Sequence, residues 1–356
     1  MATMYGKKKR LNLNEKFQTP QGEITFLKYI ETKENQPLLQ YINHRTGEIN
    51  TDYYGVMYYK VIHYHKRNNL EVPQTYNYTY PIEFKRDLKF GVEIEITIPR
   101  GVDLQEELQK VGVKAVYPNS THDVITGAWK LVHDSSITST SNYKGVEIVS
   151  PPSTNFDELE KVCSVLKKVK AKSNKSCGLH VHHDIHELKR QQILRIYNFY
   201  SKYEKLIDLM HPESRRNNRY CQPIRYIIDK VNRCETKSEL LKNVAGQGSR
   251  GYYNGCRYYK LNLRSFLYYG TIEFRQAAST IDFNEISSWI TFTHKIIDRA
   301  IEIGRNIEPM ENEDLEKYNE NPATGFENMM DELNIYWLTN TSQNLQKRIA
   351  KNEGRR

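Results

Sequence analysis

Residues 89–99 alternate strictly between two kinds of side chain. Phe90, Val92, Ile94 and Ile96 fall on one side, and Glu93 and Glu95 on the other. Successive side chains of a strand point to opposite faces, so this segment reads as a strand with one dry face and two carboxylates side by side on its wet face. The pattern recurs. Glu147 stands opposite Val146 and Ile148. His180 and His182 stand opposite Leu179 and Val181. Glu273 and Arg275 stand opposite Ile272 and Phe274, and in Lys260–Arg264 the pair Asn262 and Arg264 shares a side. Strands of this kind must share a sheet whose apolar face is covered, and the segments between them supply the cover. Residues 157–170 and 187–210 carry apolar residues at helical spacing (Leu159, Val162, Leu166, Val169; Ile193, Ile196, Tyr200, Tyr203, Ile207, Met210), and a further helix is expected over about 284–303. Thr154 and Asp157 suggest a capping box before the first of these. The order of elements is irregular, which points to an α+β domain with a mainly antiparallel, curved sheet backed by helices.

Residues 1–80 read differently. Short β-type runs at Ile24–Ile30, Pro37–Ile42 and Tyr53–Tyr64 are separated by polar turns such as His44–Gly47, which suggests a small β-rich N-terminal module. Residues 81–305 form the expected main domain, and 306–356 a polar helical extension with an acidic stretch near 308–320. The glycine cluster Gly246–Gly251 lacks the Lys-Ser/Thr of a phosphate loop and reads as a loop, with a lid as its functional reading.

Any one polar pair on a strand is ordinarily a solvated face. Adjacent glutamates on strands repel, however, and strands disfavour Glu. Several Glu and His pairs on neighbouring strands are easier to explain if a cation collects them. Carboxylates suit Mg²⁺ or Mn²⁺, and Mn²⁺ accepts imidazole more readily. The His180–Asp184 segment superficially resembles zinc hydrolase motifs, but its His and Asp order is wrong for one type and the second His–Asp set is missing for the other.

The chain has 356 residues, 26 of them tyrosine, and a formal charge of +9. The basic patches at 167–175 and 215–225 read as a solvated surface or as contact with a polyanion. Five cysteines at irregular spacing, with no CxxC pair, disfavour a disulfide framework or a structural zinc site. The basic Lys7–Arg10 run is not followed by an apolar stretch, and no segment approaches the roughly 18 apolar residues of a membrane span. A cytoplasmic protein without membrane contact is expected.

Taken in order, the segments FGVEIE (90–95), Trp129 to Asp134-Ser135, EIVSPP (147–152), CGLHVHHD (177–184), RRNNRYCQP (215–223), LNLRS (261–265) and TIEFR (271–275) are similar to the amidoligase family, relatives of glutamine synthetase and glutamate–cysteine ligase. The resemblance covers about residues 88–300. It implies a glutamine-synthetase-like catalytic domain and an ATP-dependent carboxylate–amine ligase working through an acyl phosphate, with Mg²⁺ or Mn²⁺ as cofactor. By motif, it implies metal ligands at Glu93, Glu95, Glu147, His180 and Glu273. It implies contact with ATP phosphates at His182, nucleotide binding at Asn262 and Arg264, and catalytic positions at Arg275 (phosphoryl group), Arg219 and Asp134. The implied partners are a carboxylate and an amine, either of which can be a peptide or another macromolecule. Residues 276–280 depart from relatives that carry His and Gly there. The alternative is a nucleic-acid-binding protein whose ligase-like domain is inactive.

Overall fold

The computed structural model describes residues 4–30, 38–73, 75–82, 87, 89–118, 125–247, 257–302, 322–333, 335 and 340–352. The acidic stretch near 308–320 and positions 248–251 of the glycine cluster lie outside them. The chain divides into two compact units, one built on Thr3–Glu83 and the other on Phe84–Leu333 with Asn344–Arg356.

In the first unit, strands β1 (Met4–Leu11) and β6 (Thr75–Ile82) form an antiparallel pair. Strands β2 (Lys16–Thr19), β3 (Gly22–Ile30), β4 (Leu38–Asn43) and β5 (Ile49–Tyr53) form a four-stranded antiparallel meander. Phe17, Ile24, Phe26 and Leu39 from the meander close on Tyr54, Met57, Tyr58, Val61 and Ile62. These last five belong to helix α1 (Tyr54–Arg67), which overturns the expectation of a β-type run over Tyr53–Tyr64. Their spacing is i, i+3, i+4, i+7, i+8, which is one helical face. The tyrosines and Val61 favour strands locally, but burying that face decides the outcome.

The second unit is built on a mixed seven-stranded sheet: β7 (Phe90–Pro99), β8 (Ala115–Val116), β9 (Trp129–Val132), β10 (Tyr143–Val149), β11 (Gly178–Asp184), β12 (Leu261–Asn262) and β13 (Thr271–Ala278). Its order is β12-β13-β11-β7-β10-β9-β8, antiparallel except for β8–β9. The helices of this unit are α2 (Leu104–Gln109), α3 (Asp157–Lys168), α4 (Arg190–Leu209), α5 (Ile228–Asn232), α6 (Lys237–Asn243), α7 (Phe266–Tyr269), α8 (Phe283–Glu302) and α9 (Pro322–Glu332); a last helix, α10, spans Asn340–Asn352. The apolar residues of the alternating strands, among them Val92, Ile94, Val146, Ile148, Leu179, Val181, Ile272 and Phe274, are buried. Tyr200 of α4 packs on Phe274, and Thr293 of α8 lies 2.8 Å from the ring of His183 on β11, so α4 and α8 cover this face.

Two local expectations fail. Helix α3 is entered through Phe156 without a side-chain cap, and Asn155 Oδ1 accepts from the Asp157 amide at 3.1 Å, so Thr154 and Asp157 form no capping box. The segment Lys260–Arg264, expected as a strand, is extended only at Leu261–Asn262. Asn262 Oδ1 takes the Arg264 amide (2.9 Å), and Ser265 Oγ donates to the Asn262 and Thr271 carbonyls (2.9 and 2.8 Å). These side-chain bonds turn the chain into α7, which ends at Gly270 with φ 68°. Left-handed backbone of this kind favours glycine.

Candidate metal and phosphate site

Register builds the site. Across the sheet Glu147 stands opposite Glu95, His180 opposite Glu93, and Glu273 opposite both His182 and Asn262. Cross-strand neighbours on one face are close enough to touch, so four strands place four carboxylates and two imidazoles on one face. Two clusters result: Glu93, His180 and Glu273, and Glu95, Glu147 and His180. In each, the three candidate ligand atoms lie within 4.8 Å of one another. His180 belongs to both. Its Nδ1 lies 3.0 Å from Glu93 Oε2 and 3.5 Å from Glu273 Oε1, while its Nε2 lies 3.7 Å from Glu95 Oε1.

The charges on this face differ sharply. Burial pushes the Glu147 carboxyl well above the usual carboxylate range, and the negative charges of Glu93, Glu95, Asp134 and Glu273 push it further. Burial also acts to raise Glu93, but the hydrogen bond with His180 and the positive character of the His180 and His182 rings beside it outweigh burial and hold Glu93 well below that range. Glu273 is lowered because Arg275, His182 and His180 overcome its burial. Two glutamates directly opposite each other, one of them held towards its neutral form, make a donor set short of positive charge. That is the condition a divalent cation relieves, and a carboxylate-rich set with one imidazole fits Mg²⁺ or Mn²⁺.

Around this cluster, Arg275 Nη1 donates to Glu273, and Asn262 Nδ2 donates to Glu273 Oε2 at 2.5 Å. Arg275 Nε is buried with no hydrogen-bond partner among the described residues. His182 Nδ1 lies 3.0 Å from Thr271 Oγ1, and its Nε2 lies 3.2 Å from Glu93 Oε1 without hydrogen-bond alignment. A cleft of about 280 Å³ opens beside the cluster, lined by Glu93, Glu147, Lys130, Asp134 and Tyr269 among others. Asp134 is held there by a 2.7 Å bond from the Ser136 amide to its Oδ1.

Two expected residues lie off the strand face. Arg264 follows the turn at Asn262, so the two do not share a strand face, and its Nη2 donates to the Tyr268 hydroxyl at 3.3 Å. Arg219 is exposed, with its guanidinium over the Tyr220 ring (5.7 Å). A residue that the spacing does not single out, Arg215, is buried instead, and its guanidinium donates to the carbonyls of Arg275 (2.5 Å) and Gln276 (3.3 Å).

The family described as a putative amidoligase enzyme matches residues 86–297. The chain belongs to the amidoligase family. The match takes in every residue of both carboxylate–imidazole clusters, with Arg275, Asp134 and Arg215, and it excludes the first unit. No curated protein matches this amidoligase-family chain.

Proposed function

We propose that the chain is an ATP-dependent carboxylate–amine ligase that forms an amide through an acyl phosphate, on a glutamine-synthetase-like sheet, with Mg²⁺ or Mn²⁺ as cofactor. The observation that carries this reading is the pair of carboxylate clusters meeting at His180, with the Arg275 guanidinium beside them. In this reading Glu93, His180 and Glu273 hold one ion, and Glu95, Glu147 and His180 offer a second place. Bound there, the ion neutralises the charge that builds on ATP phosphates during transfer.

The protein side chains supply the rest. A carboxylate resists attack by an amine because it has no good leaving group, and phosphorylation provides one. Bringing two anions together needs positive charge on the face, which Arg275 and His182 provide. Arg275 is braced by Glu273 through one nitrogen and has Nε left for a phosphoryl oxygen. Asn262 and Arg264 hold the nucleotide at the β12 end. The amine loses a proton as it attacks, and Asp134, the cleft carboxylate outside both clusters, takes it. A cytoplasmic location belongs to the same reading; among the described residues, no helix is long and apolar enough to cross a membrane.

The test is phosphate release from Mg²⁺- or Mn²⁺-ATP with hydroxylamine as the amine and pools of carboxylic acids. Acid-dependent phosphate with hydroxamate supports the reading and names the acid. Release no greater than that of Glu273→Gln overturns it. Arg275→Ala is expected to keep nucleotide binding, measured by calorimetry, while phosphate release falls by about 10³-fold or more, the scale of comparable arginines. Unaltered release removes Arg275 from the site.

One surface feature favours the second reading, nucleic-acid binding with an inactive ligase-like domain. Arg219 lies over Tyr220, Arg257 lies over Tyr258 at 5.6 Å, and the two tyrosine rings are 5.4 Å apart. Interleaved arginines and aromatics suit single strands. Salt-sensitive oligonucleotide binding without ATP turnover would select it.

A further inference from the structure

Strands β11 and β13 run in simple register except at one place. Leu179 pairs with Ala277, but Val181 pairs with Phe274, so the single residue His180 faces two residues, Arg275 and Gln276. This is a β-bulge on β13. A bulge takes residues out of the ladder and re-aims side chains, which is why bulges gather beside active sites. Here it falls on the residue shared by both carboxylate clusters and on the arginine beside them.

The carbonyls of the bulged pair are met by one side chain. Arg215, on the short turn Glu213–Arg215 that follows α4, donates Nη2 to the Arg275 carbonyl at 2.5 Å and Nε to the Gln276 carbonyl at 3.3 Å. A guanidinium presents its donors in a rigid fork, which a lysine ammonium does not. The neighbouring strand makes room for it. A Cβ on Gly178 would lie 2.9 Å from Arg215 Nη2 and 2.9 Å from His180 Nε2, so both groups close on the same point. On β13 itself, the Gln276 side chain is tied to the Tyr200 hydroxyl and to Asp208, and the Arg275 amide donates to the Lys260 carbonyl at 2.9 Å. The bulge is thus braced from three directions, and Arg215 is the brace on the side of His180.

We propose that Arg215 is a positioning residue: by holding the two carbonyls of this bulge it aims Arg275 and His180 at the carboxylate face. Its catalytic consequence rests on reading that face as the ligase site; its structural consequence does not.

The experiment uses the full chain with Arg215→Met and Arg215→Lys, and two readouts. The first, amide exchange, needs no activity. Arg215→Met is expected to speed exchange at residues 275–277 by about tenfold while amides of α8 keep their protection, as local opening does. The second is acid-dependent phosphate release. There kcat is expected to fall by about 100-fold, the scale of a 1 Å misplacement. KM for ATP should stay within roughly threefold, because an aiming defect is not a binding defect. Arg215→Lys, with one ammonium in place of the fork, should fall between wild type and Arg215→Met on both. Unchanged exchange at 275–277 overturns the proposal, as does a kcat within roughly threefold of wild type, since no aiming was then lost. If Arg215→Met does not fold, Arg215→Lys decides on the same criteria. If the wild type itself releases no acid-dependent phosphate, the ligase reading has failed and the exchange readout alone decides.

Discussion

Glu273→Gln is expected to lower acid-dependent phosphate release by about 10³-fold or more, which is what several kcal/mol of lost charge stabilisation does to a rate. Glu273 is a member of the Glu93–His180–Glu273 cluster, the acceptor for Arg275 Nη1, and the acceptor for Asn262 Nδ2. The glutamine keeps its size and one oxygen but removes the charge that both a cation and Arg275 need. Circular dichroism and the melting midpoint should show a folded protein, because Glu93 and Glu95 also offset the Arg275 charge. Titration with Mn²⁺, followed by its electron spin resonance signal, should reveal weakened binding in the variant without any turnover. Wild-type rates with wild-type Mn²⁺ binding would remove Glu273 from the metal set, and the cluster would then be a structural ion-pair network.

The second large effect is on stability. Lys260 is fully buried, and its Nζ lies 2.5 Å from Asp208 Oδ1 and 3.1 Å from Glu204 Oε1. Glu204 also accepts the Ile224 amide at 2.7 Å and pairs with Arg225 at 3.2 Å. Replacing one partner of a buried ion pair leaves the other charge in the dry interior, so Lys260→Met should cost about 3–5 kcal/mol. The melting midpoint should fall by roughly 10 °C for a unit of this size. Burial already holds Asp208 above the usual carboxylate range despite the Lys260 charge, so losing the ammonium pushes this group further towards its neutral form, which limits the loss. Adding Asp208→Asn to Lys260→Met should therefore cost less than the sum of the two single changes. A single-variant loss below about 1 kcal/mol would mean that the ions contribute no more than an exposed pair.

The strands and the polar faces were legible because their signal is local. In Phe90–Ile96 or Thr271–Arg275, alternation alone separates the dry side from the wet side, and the five residues Glu93, Glu95, Glu147, His180 and Glu273 could be named from it together with the family resemblance. The helices at 157–168, 190–209 and 283–302 were legible for the same reason, with a longer period. What was not legible depends on contacts between distant segments. Helix α1 looked like a strand because Tyr and Val favour strands, and only the partners Phe17, Phe26 and Leu39 settle its period. The break after Asn262 depends on that side chain capturing the backbone amide two residues on. Arg215 and Arg219 are alike as sequence, two arginines in one basic run. What separates them is the β13 bulge, an extra residue in a pairing that neither strand announces.

The place of His180 has a further consequence. Its two ring nitrogens face different clusters, Nδ1 towards Glu93 and Glu273, and Nε2 towards Glu95. A neutral imidazole has one nitrogen free to bind a metal, and the other carries the proton. An ion seated through one nitrogen thus leaves a proton facing the opposite cluster, where a second ion would have to rest on carboxylates alone. The two places are therefore antagonistic through a single proton. Loading of this face is expected to be strongly graded, one tight equivalent and one loose, rather than two equal ones.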